Sequence, residues 1–157
     1  MEKFPITSSG YEKMKAELHH LTSVERPAIV TAIAEARSHG DLSENAEYSS
    51  AKEKQGMIEA RIADFNTKIL HAEIIDIKDI KTNIVQFGAT ISLVDSDKDE
   101  KFTYQIVSDY EANSANGNIS IFSPLAQAAL GKCAGDEIEV STPKGLKYYD
   151  LLSVSYV

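Results

Sequence analysis

Two runs of apolar residues at coiled-coil spacing flank one short acidic turn, and this restricts the first half of the chain to an antiparallel pair of helices. Tyr11, Met14, Leu18 and Leu21 follow at intervals of three, four and three. Val24, Ala28, Ala32 and Ala36 extend that stripe, with Ile29 and Ile33 beside it. Pro27 removes one ladder hydrogen bond, which predicts a bend, but the period resumes beyond it, so one kinked helix is expected. Thr7 is the expected N-cap, with Ser8 and Ser9 as alternatives, and Gly40 the expected stop. The second helix is predicted from about Ser43 to about Ala72, with Ile58, Ile62, Phe65 and Ile69 as its seam. About thirty residues at 1.5 Å each make a rod of roughly 45 Å. Ala46, Ala51 and Gln55 keep its distal part thin. The expectation is a narrow finger whose tip, residues 38–48, carries Asp41 and Glu44.

After Glu73 the pattern alternates. Ile74–Ile77, Ala89–Val94, Phe102–Val107 and Ile119–Phe122 read as strands, and Glu137–Ser141 with Lys147–Tyr156 as a hairpin. Tyr148, Leu152, Val154 and Tyr156 are expected on one face. Ser123-Pro124 starts a short helix, Leu125–Leu130, that stops at Gly131. The reading is α+β in two domains: a helical coiled-coil hairpin over 1–76, then one helix against a curved antiparallel sheet over 77–157.

Composition narrows the function classes. Lys plus Arg is 16 and Asp plus Glu 24, a net charge of -8, and acidic residues outnumber basic ones in both halves. That disfavours non-specific binding to a phosphate backbone, though a small local basic patch stays possible. Cys133 is the single cysteine, so no internal disulfide forms. No signal peptide or membrane span is visible, and a soluble cytoplasmic protein, monomeric and without membrane contact, is expected.

Asp41 and Glu44 are three residues apart, which puts both carboxylates on one face of a helical turn. The same spacing fits a capping box, with Asp41 at the N-cap and Glu44 at N3, favoured by the helix dipole. Alternatively Ser43 caps the helix and leaves Asp41 available.

The stretch from Ile33 to Tyr48, IAEARSHGDLSENAEY, resembles the coiled-coil tip of bacterial transcript cleavage factors of the Gre family, GreA type. Val24-Glu25-Arg26-Pro27, Phe87-Gly88-Ala89, Ser123-Pro124-Leu125-Ala126 and Leu130-Gly131-Lys132 match in order, so the resemblance spans nearly the whole chain. It implies an FKBP-like second domain used for docking. The implied partner is bacterial RNA polymerase, entered through its secondary channel, with the nascent RNA 3′ end of a backtracked complex at the tip.

The resemblance further implies that Asp41 and Glu44 are donated to the polymerase active centre, where they hold a second Mg2+ shared with polymerase carboxylates and RNA phosphate. No cofactor is expected on the chain alone, and the chain is expected to be no enzyme by itself. Arg37 and Lys52 are candidates for RNA contact, against the alternative of a solvated helix surface. Lys52 stands where many relatives carry arginine, which keeps the charge and loses the bidentate fork. Asn45 and Tyr48 are candidates for positioning the tip, and Ser123, Pro124 and Leu125 for gripping the channel rim or simply capping a helix. Two other classes stand as alternatives: a channel-binding inhibitor of the same shape, which would be expected to alter the tip, and a stand-alone prolyl isomerase or chaperone. The isomerase pocket has a tryptophan floor, and this chain has no tryptophan. The sparse basic patch favours the GreA type, which removes short fragments.

Overall fold

The chain enters its first helix from a short strand, β1 (Phe4–Thr7), that the sequence pattern does not announce. The Thr7 hydroxyl accepts the Gly10 N–H at 3.1 Å, so Thr7 caps helix α1 (Ser8–His20) as expected. The computed structural model describes residues 3–41 and 45–157. Contacts divide the chain into two compact units, Tyr11–Ala72 on one side and Lys3–Gly10 with Glu73–Val157 on the other. This differs from the 1–76 and 77–157 expectation at the start of the chain and places the later boundary between Ala72 and Glu73. Lys3–Gly10 clusters with the second unit because Thr7 bonds to Glu111.

In the helical unit, α1 runs into a π-helical turn, Leu21–Glu25, closed by the Arg26 N–H donating to the Leu21 carbonyl. Helix α2 then covers Arg26–Arg37, with Pro27 in its first turn directly after the wide turn. The helix continues through the proline, and the wide turn has a consequence for packing. A π turn holds about one residue more than an α turn. The residue one heptad beyond Leu21 would be Ala28 in a regular helix; with the extra residue it is Ile29. The expected stripe is corrected accordingly: Ile29, Ile33 and Ala36 are buried, whereas Val24 is 52% exposed and Ala28 is exposed.

Helix α3 (Ala46–Leu70) packs along α2 and supplies Ile58, Ile62 and Phe65 as buried residues, with Ile69 half-buried. It starts three residues later than the sequence suggests. Arg26 grips Glu59 through two 2.8 Å hydrogen bonds, and Arg61 Nη2 donates to Glu17 at 2.5 Å. The guanidinium of Arg26 holds the Glu59 carboxyl below its ordinary range.

Strand β2 (Ala72–Ile75), which opens the second unit after its first residue, pairs with β1, and the unit continues into a five-stranded sheet in the order β5-β4-β3-β7-β6. Its strands are β3 (Thr90–Asp95), β4 (Lys101–Val107), β5 (Asn118–Ser120), β6 (Glu137–Thr142) and β7 (Gly145–Ser155). The sheet is mixed rather than antiparallel: β4 and β5 are parallel, because the connection over 108–117 carries the chain back before β5 begins. Helix α4 (Pro124–Ala129) buries Ala126 and Ala129 against Val85, Ile91, Leu93, Ile106, Ile138 and Leu151. Gly88 opens β3 at φ +90°, and a Cβ there would lie 2.5 Å from Ile77 Cγ2, so no side chain fits.

The face assigned to the last strand also needs correction. Ser92 is opposite Ser153 and Leu93 opposite Leu151, which leaves Leu152 as an extra residue in a β-bulge. The bulge shifts the alternation by one. Tyr149 and Leu151 before it, and Val154 and Tyr156 after it, pack on the core, whereas Leu152 is 45% exposed and Tyr148 also faces outward. Among the described residues, no helix is long and apolar enough to cross a membrane.

Candidate functional site

The turn between α2 and α3 is built from interlocking caps. Helix α2 closes through His39 N–H on the Ala36 carbonyl at 3.2 Å and Gly40 N–H on Arg37 at 3.4 Å. Gly40 takes φ +110°, a conformation that glycine alone adopts freely. On the other side Asn45 is the N-cap of α3, its Oδ1 accepting the Tyr48 N–H at 3.0 Å. The capping-box reading is therefore corrected: Asn45 holds the N-cap position of α3, so Asp41 is not its cap; Ser43, the alternative cap, lies outside the described residues. Sequence reasoning passed over Asn45 for this role because the acidic spacing just before it is the stronger local pattern.

Asn45 does more than cap. Its Nδ2 donates to the Ala36 carbonyl at 2.6 Å, tying the end of one helix to the start of the next. The Arg37 guanidinium carbon lies 5.8 Å from the centroid of the Tyr48 ring, a cation–π contact across the same turn. His39 Nδ1 is 3.0 Å from Glu47 Oε2, an ion pair when the imidazole is protonated that no sequence motif signalled. Asp41 is exposed directly after Gly40. Glu44 lies outside the described residues.

Arg37 and Lys52 line one shallow groove, floored by Val30, Ile33 and Ala34. Lys52 Nζ donates to Gln55 Oε1 at 3.2 Å and stays exposed. Two cations over an apolar floor suit an anionic chain carrying flat bases. Among the described residues, no group of three or more His, Cys, Asp or Glu side chains could hold a metal ion.

In the second unit Ser123 caps α4, its Oγ accepting the Ala126 N–H at 3.2 Å, and Pro124 occupies the first helical turn, exposed. Leu125 is half-buried against the core. Just before them Phe122 is 63% exposed.

These two halves correspond to two family models. Residues 4–74 match the transcription elongation factor N-terminal domain of GreA and GreB, and residues 80–156 match the GreA/GreB C-terminal domain. The chain belongs to the GreA/GreB family of transcription elongation factors. A protein of Caulobacter vibrioides called transcription elongation factor GreA is 52% identical over 157 residues, covering 100% of both chains. The protein of that name from Rickettsia prowazekii is 52% identical over 154 residues, covering 98% of this chain and 95% of its own. The crystal structure of the GreA factor homolog 1 protein of Thermus thermophilus covers 98% of this chain and 99% of its own at 25% identity, with a TM-score of 0.46.

Within this GreA/GreB chain the described site residues fall into two groups, one on each unit. Arg37, Asn45 and Tyr48 are drawn together by direct contacts, with Lys52 joining Arg37 along the groove. Asp41 stands beside them on the connecting turn. Ser123, Pro124 and Leu125 belong to the other unit and form a capped helix start.

Proposed function

We propose that the chain binds bacterial RNA polymerase in the cytoplasm and stimulates the polymerase's own endonucleolytic cleavage of the 3′ end of backtracked nascent RNA. The observation that carries this is the exposed Asp41 carboxylate, on a turn locked by Asn45, in a chain matched along both halves by the GreA/GreB models.

The hairpin is the part that enters the polymerase's secondary channel, and the second unit, assigned an FKBP-like fold on resemblance, docks through Ser123, Pro124 and Leu125. Arg37 and Lys52 attract the extruded RNA, the apolar floor between them accepting the face of a base. Asp41 and Glu44 would supply oxygen ligands for a second Mg2+ shared with polymerase carboxylates and RNA phosphate. A site with one or two protein carboxylates plus phosphate oxygens and water fits magnesium. Bound there, the ion would supply activation of water and neutralisation of charge developing on the cleaved phosphodiester. The chain itself contributes orientation and charge, which makes it a cofactor protein and not an enzyme alone.

The test uses arrested elongation complexes with labelled RNA. Asp41→Ala and Glu44→Ala should each abolish stimulated cleavage, while competition with the parent for polymerase stays unchanged. Parent-like cleavage by both variants would remove the carboxylates from the mechanism. Binding with inhibition and no cleavage, even by the parent, would mark a blocking factor instead.

A further inference from the structure

Glu111 belongs to no motif, yet its carboxylate joins two segments far apart in sequence. Oε1 accepts the Thr7 hydroxyl, and Oε2 accepts the Thr7 N–H at 3.3 Å, the Ser108 N–H at 3.2 Å and the Ser108 hydroxyl at 2.7 Å. The Glu111 N–H in turn donates to Ser108 Oγ at 3.3 Å. Thr7 and Ser108 are both buried, so these donors have no water to fall back on.

The same Thr7 hydroxyl that donates to Glu111 accepts the Gly10 N–H at 3.1 Å. The helix cap of α1 and the Glu111 tie are therefore one continuous network. A second, steric observation agrees. A Cβ on Gly10 would overlap the Glu111 carboxylate and lie 2.6 Å from its Cγ. Gly10 is thus kept small by Glu111 and not by its own backbone. Helix α1 passes from the second unit to the helical unit between Gly10 and Tyr11, so this network grips its first turn at the point of passage.

We propose that Glu111 is a positioning residue for transcript cleavage: by fixing the first turn of α1 it steadies the helix that leads into the hairpin bearing Asp41. The role rests on the chain acting as a cleavage factor. Docking through Ser123, Pro124 and Leu125 does not depend on it, so the two steps separate. Glu111 acts through Thr7 and touches no reacting atom.

Three variants test it. Glu111→Ala removes the tie. Gly10→Ala evicts the carboxylate, the far end of a flexible side chain, while raising the helix propensity of α1. Thr7→Ser retains the hydroxyl and serves as the conservative control. With arrested elongation complexes, Glu111→Ala and Gly10→Ala should lower the maximal cleavage rate on the order of 10- to 100-fold, as loss of positioning does. Their half-saturating concentrations should stay at the parent value. Hydrogen exchange at the Thr7 and Ser108 amides should accelerate in Glu111→Ala, and Thr7→Ser should cleave like the parent. A parent-like maximal rate for Gly10→Ala, or a loss in both variants that matches their loss of folded protein by circular dichroism, overturns the proposal. Failure of the parent itself to stimulate cleavage would instead overturn the cleavage-factor reading.

Discussion

Asn45 and Ala36 are joined across the inter-helix turn by a 2.6 Å hydrogen bond from the asparagine Nδ2 to the alanine carbonyl. A single side chain thereby adds a second donor to the Ala36 carbonyl, which already accepts the His39 N–H, and through its Oδ1 satisfies the orphan Tyr48 N–H at the start of α3.

Asn45→Ala should lose both bonds and destabilise the hairpin by about 1–2 kcal/mol. Asn45→Asp keeps the cap and loses the donor, so it should fall between parent and alanine. Urea unfolding monitored by helical circular dichroism gives the order, and an alanine variant as stable as the parent would refute the clamp.

Tyr48 should act through its ring and not its hydroxyl. Tyr48→Phe is expected to match the parent, while Tyr48→Ala loses the Arg37 contact, worth roughly 0.5–1 kcal/mol at an exposed site. Exchange rates of the amides in the first turn of α3 would report the difference.

Acid sensitivity should reside in the Asp95 turn. The Asp97 N–H first, then the Lys98 N–H and the charges of Lys147 and Lys98, hold the Asp95 carboxyl below its ordinary range against the opposing effect of burial. Its folded-state pKa is lower than its unfolded one, so the stabilisation is full above the unfolded value and disappears as pH falls through the folded one. Asp95→Asn should lower the melting temperature at pH 7 and flatten its decline on acidification. Parallel melting curves for the two proteins across that range would contradict this.

Ser123 has a capping role that can be separated from the docking role proposed for it. Ser123→Ala should cost about 1 kcal/mol of stability through the lost Ala126 bond. Ser123→Asp preserves the cap and alters the surface, so a polymerase affinity that falls for aspartate as well as alanine assigns docking to the hydroxyl itself. If affinity follows stability alone, the residue is only a cap.

Much of this architecture was legible because periodicity reports burial. The seam residues Ile58, Ile62 and Phe65, the strand pair β3 and β4, the cap at Thr7 and the helix start at Ser123 all follow from local chemistry. What escaped is non-local or changes phase. Phe4–Thr7 is short and contains Pro5, so nothing in its composition marks it as a strand. The π turn at Leu21–Glu25 and the bulge at Leu152 each add one residue, and a pattern read at constant period then assigns the wrong faces downstream. The parallel placement of β5 depends on the path of a loop. At the candidate site Arg37, Asn45 and Tyr48 could be singled out by resemblance, but the Asn45 bridge to Ala36 and the Glu111 tie to Thr7 depend on contacts that no spacing rule encodes.

The wide turn at Leu21–Glu25 gives the helical unit a rotary adjustment. One added residue is absorbed within a single turn, so the helix before it and the helix after it keep their apolar sides aligned. Removing Ser23 while replacing Pro27 with alanine should accordingly yield a regular helix with Leu21 and Ile29 still on the inner side. Such a chain would carry its acidic turn at the same azimuth and at nearly the same height, because the extra residue widens one turn and does not lengthen the rod.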